Sequence, residues 1–191
     1  MLVIGNGESR KDIDINKYGG IKVGCNAIFR DFYVNHLICC DRRMVEEAQK
    51  ERNYGSIYTR ADWIDQFKLC GLVPILPYKG NTRLDDPWHW GSGPYAVLLG
   101  ASISTKWSGN PEVHMIGFDL DSENNTVNNI YKGTENYNDA DSSPVDPSYW
   151  LYQIDKVFEY FPMVQFYYYN NKEWPTKQKN VCNKMLVEFE I

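Results

Sequence analysis

Leu2-Val3-Ile4-Gly5-Asn6-Gly7-Glu8-Ser9 opens the chain with a wholly apolar triplet that stops at glycine and passes into a polar turn. Consecutive apolar β-formers without polar alternation fit a strand buried on both faces, as in a parallel sheet. Gly5 and Gly7 let the backbone turn tightly and approach an anion, and amides at the start of the next segment can hold phosphate oxygens. Asn6 and Ser9 add side-chain donors, so Gly5, Asn6, Gly7 and Ser9 are candidate nucleotide-binding residues. A complete dinucleotide fingerprint has a third glycine three positions beyond the second, where this chain carries Arg10. No GxxxxGK[ST] P-loop occurs either, which argues against an NAD site or a P-loop ATPase.

Outward from this turn, further strands are read at 21–25, 36–40, 56–59, 72–76 (interrupted by Pro74), 113–118 and 164–169, with an edge strand in the tail 185–191. Helices are read at 11–15, 42–52, 95–104 and 148–161, the third being apolar nearly all round and therefore buried. Strands alternating with helices imply βαβ units. The expected fold is a Rossmann-like α/β domain, a mostly parallel sheet flanked by helices, covering 1–191 as a single nucleotide-binding-like domain. Two long polar loops remain, 81–91 and 121–146; the second is expected to be functional, closing over a ligand.

Composition narrows the classes of function. At 191 residues the chain can bury a core without staples. A net charge of −5 argues against a protein that grips a nucleic-acid backbone. Five cysteines, an odd number with no CxxC pair, read as free thiols in a reducing compartment and exclude a zinc ribbon. The start at Met1-Leu2-Val3-Ile4 does not resemble a signal peptide, and no apolar run approaches the ~20 residues that cross a bilayer. A soluble, cytoplasmic protein without a transmembrane segment is expected, in which the sequon Asn124-Asn125-Thr126 has no meaning. Aromatic residues at 15%, with 14 Tyr and 6 Trp, suit a surface that stacks on rings or sugars.

Ligands of open α/β sheets bind beyond the carboxyl ends of the strands. The residues at those ends are Gly5 to Ser9, Asn26, Asp41, Arg60 and Asp119. Ser92-Gly93 marks the start of the buried helix, where free amides and the positive dipole end suit a phosphate or carboxylate. Gly91-Ser92-Gly93 lacks the GxSxG spacing of a nucleophile elbow, so a hydrolase serine is rejected. Asp119 and Asp121 alternate after a strand and share a face, so both carboxylates could ligate one divalent ion. Of three histidines, His36 and His114 lie at strand starts and read as structural. His89, between Trp88 and Trp90, is the one placed for acid–base work.

Four segments in order, Val3 to Ser9 followed by Asp12-Ile13-Asp14, Gly24-Cys25-Asn26 with Phe29 behind it, Ser92-Gly93-Pro94-Tyr95, and Met115-Ile116-Gly117-Phe118-Asp119, carry a family resemblance over residues 1–120. Together they resemble the sialyltransferase-like bacterial glycosyltransferases (family 42) and the related MptE-like pterin pyrophosphokinases. The resemblance implies a CMP-sugar or other nucleotide-sugar donor bound with no required cofactor, and Asn6, Ser9, Asn26 and Ser92 lining the nucleotide pocket. Asp41 falls where that family tends to carry an asparagine facing the nucleotide. The family's catalytic base is a histidine beyond the Gly-Phe-Asp strand, and this chain has none after His114. That leaves a carboxylate such as Asp139 or Asp141 to take the acceptor proton, a different chemistry, or none.

The leading expectation is a nucleotide-sugar-dependent glycosyltransferase acting on a carbohydrate-like acceptor. Its rivals are a Mg²⁺-dependent, pyrophosphokinase-like phosphate transferase using Asp119 and Asp121, and a non-catalytic nucleotide-binding module.

Overall fold

The computed structural model describes residues 1–77, 89–121 and 125–189. The loop read at 81–91 falls mostly outside these residues, as does Asn124 of the sequon. Eight strands form one sheet: β1 (Leu2–Ile4), β2 (Lys22–Cys25), β3 (Val34–Ile38), β4 (Tyr54–Thr59), β5 (Gly71–Leu72), β6 (Glu112–Ile116), β7 (Gln165–Tyr169) and β8 (Val181–Lys184). Every pairing is parallel, in the order β5-β4-β3-β2-β1-β6-β7-β8. The Rossmann-like α/β architecture read from the sequence is therefore the one observed. Successive connections step outward from β1 on one side and from β6 on the other. The direction of winding reverses between these two strands, which makes their carboxyl ends the topological switch point.

Among the described residues the α-helices are α1 (Arg42–Glu51), α2 (Ala61–Ile64), α3 (Ser92–Trp107) and α4 (Ser148–Tyr160). Alternation along the strands divides the core. Val3, Val23, Cys25, Val113 and Met115 face α3 and α4, while Leu2, Ile4, Leu37 and Ile116 face α1 and a 3-10 turn at Asn26–Arg30. Leu2, Val3 and Ile4 are all fully buried. Side chains of this size contribute about 1.5–3 kcal/mol each on burial. A Cβ on Gly100 would lie 2.5 Å from Val3 Cγ2, so α3 packs directly on the central strand. This close seating brings the α3 N-terminus over the switch point.

α1 starts where the Asp41 carboxylate accepts from Arg43 N at 2.9 Å, and ends at Arg52, whose φ of 54° is the left-handed C-cap. The short helix read at 11–15 is instead two 3-10 turns, Glu8–Arg10 and Ile15–Lys17. The strand read at 72–76 stops at Leu72, because Pro74 has no N–H to offer the ladder. The edge strand expected at 185–191 lies earlier, at Val181–Lys184. Asn180 fixes its entry by donating to the carbonyls of Phe158, Phe161 and Val164 at 3.0–3.1 Å. The chain then turns into a 3-10 segment, Leu186–Glu188, with Met185 N donating to the Glu188 carboxylate at 2.7 Å. Among the described residues no helix is long and apolar enough to cross a membrane.

Candidate functional site

The floor of the site is backbone. Gly5 N donates to Ile116 O at 2.9 Å and Gly7 N to Gly117 O at 2.8 Å, so the turns after β1 and β6 are bonded to each other. A Cβ on Gly5 would fall 2.2 Å from Gly117 O, and one on Gly7 would fall 2.4 Å from Asp119 Cγ. Gly117 itself has φ +68°. The glycines permit contact between two turns as much as approach to a ligand.

The amides behind the turn are already engaged. Ser9 N donates to Asp119 Oδ2 at 2.8 Å, and the Ser9 hydroxyl donates to Asp119 Oδ1. Glu8 N donates to Asn128 Oδ1 at 2.8 Å. Ser9 was expected to donate to the ligand; it is instead absent from the cleft lining, because a carboxylate from the neighbouring turn claims both its donors. Asn6 lines the cleft, but its side chain supports the scaffold. Asn6 Nδ2 donates to Cys25 O at 3.0 Å and to the Tyr137 hydroxyl at 3.3 Å, and Oδ1 accepts from Arg10 at 3.3 Å.

Opposite this floor stands the start of α3. Ser92 and Gly93 line the cleft, and their N–H groups precede the first intrahelical bond, Tyr95 N to Gly91 O at 3.2 Å. The Ser92 hydroxyl accepts from Cys40 N at 3.0 Å. Asn26 follows β2 with φ 51°, and its buried Oδ1 has no hydrogen-bond partner among the described residues. Trp174 is 3% exposed, and its buried Nε1 is also without a partner among the described residues. Phe118, Pro94, Ile154 and Trp150 complete the apolar walls around about 660 Å³ of empty space. Buried thiols add nothing reactive here, since desolvation pushes Cys25 up to about 12.

A second, outer cleft of about 860 Å³ continues from the first through the shared residues Asp119, Leu120, Asn128, Asn129 and Trp150. Asp41, Arg43, Asp121, Lys132, Asn136, Tyr137 and Asn138 line it. One wall comes from the 121–146 loop, which was expected to close over a ligand. Its described part is anchored: Ile130 N donates to Asn6 O at 2.8 Å, and Tyr131 is 4% exposed. Arg30 donates to Glu135 O at 2.9 Å, and Asn136 to Glu47 Oε2 at 2.8 Å. Burial also raises the Tyr137 hydroxyl well above the ordinary tyrosine range.

The structure brings Gly5, Asn6, Gly7, Asn26, Ser92, Gly93 and Asp119 to one cleft. Asp41 lies in the outer cleft rather than in the first one, because it caps α1. His89 lines neither cleft; its carbonyl accepts from the Tyr149 hydroxyl. Asp139 and Asp141 are exposed and line neither cleft, so they are not brought to the place where a base would act. Asp119 spends its oxygens on Ser9 and on Asn170 Nδ2 at 2.9 Å, while Asp121 pairs with Lys172. Among the described residues no group of three or more His, Cys, Asp or Glu side chains is assembled for a metal. Sequence reasoning missed Phe118, Asn128, Asn129, Trp150 and Trp174. The early signals were the Gly-Phe-Asp motif that holds Phe118, the 121–146 loop that holds Asn128 and Asn129, and the overall excess of aromatic residues.

Comparisons with models of known protein families, with curated proteins and with solved structures find no match to this chain.

Proposed function

We propose that the chain binds a nucleotide-sugar in the cleft at the carboxyl edge of the sheet and transfers the sugar to a carbohydrate-like acceptor. One observation carries the reading. The switch-point cleft combines the first-turn amides of α3, which precede its first intrahelical bond, a buried amide oxygen at Asn26 and an aromatic wall, and it continues into a second, polar cleft. The amides of Ser92 and Gly93 suit a phosphate, and their partial positive charge stabilises it as it departs from the anomeric carbon. Trp150, at the junction of the two clefts, offers a face for stacking of the ring that moves between them.

The acceptor hydroxyl must lose a proton. Asp41, which lines the outer cleft, takes it in this reading. Its Oδ1 caps α1 and meets Arg43 at 3.8 Å, while Oδ2 has no partner among the described residues. The Mg²⁺-dependent phosphate-transfer reading draws less support, since Asp119 and Asp121 are engaged by Ser9, Asn170 and Lys172. A nucleotide-binding module without catalysis is favoured by one specific observation: His89, Asp139 and Asp141 all stand outside the clefts.

The test is a thermal-shift screen of CMP, UDP, GDP, ADP and ATP with their sugar conjugates, with and without Mg²⁺, followed by assay of nucleotide release. Ligand at a hundred times Kd adds about 2.7 kcal/mol of stability. A metal-independent shift, with nucleotide release abolished in Asp41→Asn while binding persists, supports the transferase. Binding without release from any conjugate selects the module, and no binding ends the reading.

A further inference from the structure

Arg10 stands where a dinucleotide fingerprint has its third glycine, and it is 2% exposed. Its side chain folds back beneath the site. Nε donates to Gly5 O at 2.6 Å, and Nη2 donates to Asn6 Oδ1 at 3.3 Å and to the Tyr131 hydroxyl at 3.4 Å. Its aliphatic stem is packed against Gly117, where an added Cβ would lie 2.9 Å from Arg10 Cδ. The rings of Phe32 and Tyr131 each lie 5.9 Å from its guanidinium carbon. One side chain therefore ties together three residues of the cleft floor, Gly5, Asn6 and Gly117, and the loop that walls the outer cleft.

The charge balance of this arrangement is unusual. Among the described residues Arg10 has no ion-pair partner. The nearest carboxylate in its hydrogen-bond chain is one hydroxyl away, where Tyr131 donates to Asp31 Oδ2 at 2.7 Å. Asp119, the carboxylate of the cleft itself, is held by Ser9 N, the Ser9 hydroxyl and Asn170. A buried guanidinium compensated only by dipoles and ring faces is costly unless something anionic completes its environment.

The geometry points to Arg10 as the positioning residue of the cleft, its buried charge lying under the Gly5–Gly7 turn so that the site selects a ligand bearing an anionic phosphate there. This rests on the nucleotide reading above and deepens it. The contact is through space: Arg10 does not line the cleft, and the backbone of Gly5 and Asn6 intervenes. In a partly buried site such a charge acts at low effective dielectric, and its loss weakens a phosphate-bearing ligand about tenfold or more.

The test is calorimetric titration of CMP, UMP, GMP and AMP, each against its own nucleoside, into wild type, Arg10→Met, Arg10→Gln and Arg10→Lys. The expected result is a preference of wild type for at least one monophosphate over its nucleoside. Arg10→Met and Arg10→Gln abolish that preference while retaining nucleoside affinity, and Arg10→Lys keeps it. Arg10→Gln preserves a donor toward Gly5 O without the charge and replaces Arg10→Met if the latter does not fold. Equal weakening of monophosphate and nucleoside makes Arg10 a structural residue only and overturns the inference. Wild type that binds nucleosides as tightly as monophosphates keeps the nucleotide reading and overturns this one. Wild type that binds neither overturns both.

Discussion

Gly117→Ala is the sharpest test of how the floor of the cleft is built. Alanine there would have to hold φ +68° and place a Cβ 2.7 Å from Gly5 O and 2.9 Å from Arg10 Cδ. The left-handed conformation costs an L-residue about 1–2 kcal/mol. The forced contact is with backbone of a bonded turn, which yields poorly, and overpacking of this kind costs about 1–3 kcal/mol. Reduced freedom of the unfolded chain returns about 0.4–1 kcal/mol. The net expectation is a loss of about 3 kcal/mol, or roughly 6–12 °C in Tm for a chain of this size. Thermal and urea unfolding followed by circular dichroism read this directly. Gly19→Ala is the control, since a Cβ there meets nothing within 4 Å. A Gly117→Ala protein within about 1 kcal/mol of wild type would refute the reasoning, because the two turns would then not be in backbone contact.

Three further outcomes are expected. Ser92→Ala leaves Cys40 N buried without its acceptor and should cost about 1–3 kcal/mol in urea unfolding, so any loss of ligand affinity must be corrected for stability. Arg30 and Glu47 form a two-pronged pair at 2.6 and 2.8 Å, and the hydrogen bond from Arg30 holds the Glu47 carboxyl below its ordinary value of 4.5. A double-mutant cycle should therefore show coupling of about 1 kcal/mol at pH 7 that fades as pH falls below about 4.5, since a depressed carboxyl contributes stability only while ionised; coupling unchanged at pH 3 would contradict the pairing. Burial raises the thiols of Cys25, Cys39, Cys40 and Cys70, whereas Cys182 is partly exposed. In the native state a thiol-titrating disulfide reagent should label Cys182 alone, with all five reacting in guanidinium; two fast thiols would mean the core opens locally.

The sheet was legible because its strands announce themselves locally. Leu2-Val3-Ile4, Val113 to Ile116 and Phe166 to Tyr169 are runs of apolar or aromatic residues ending at Gly, Gly and Asn, and parallel strands buried on both faces must look like this. The position of the cleft followed from the topology. Who bonds to whom inside it did not follow. Ser9 and Asp119 are 110 residues apart, and nothing near Ser9 reveals that its donors are spoken for. Trp150 and Trp174 read locally as residues of a helix start and of a loop; only the packing of α4 against α3 and of β8 against β7 turns them toward the site. The fate of Arg10 was hidden for the same reason, since a guanidinium reads as exposed until the loop that covers it is placed.

The strand order has a consequence for how the chain is made. The two strands that meet at the seam are joined near their starts by Met1 and Glu112, which lie 111 residues apart. During synthesis the first five strands emerge before β6, and until it emerges the outer edge of β1, all Leu, Val and Ile, lacks the strand that pairs with it in the folded sheet. Such an edge invites pairing with a second nascent chain until β6 emerges and docks. The seam that creates the cleft thus closes only once β6 has emerged, and a ligand seated across it would act as a fastener between the two halves of the sheet.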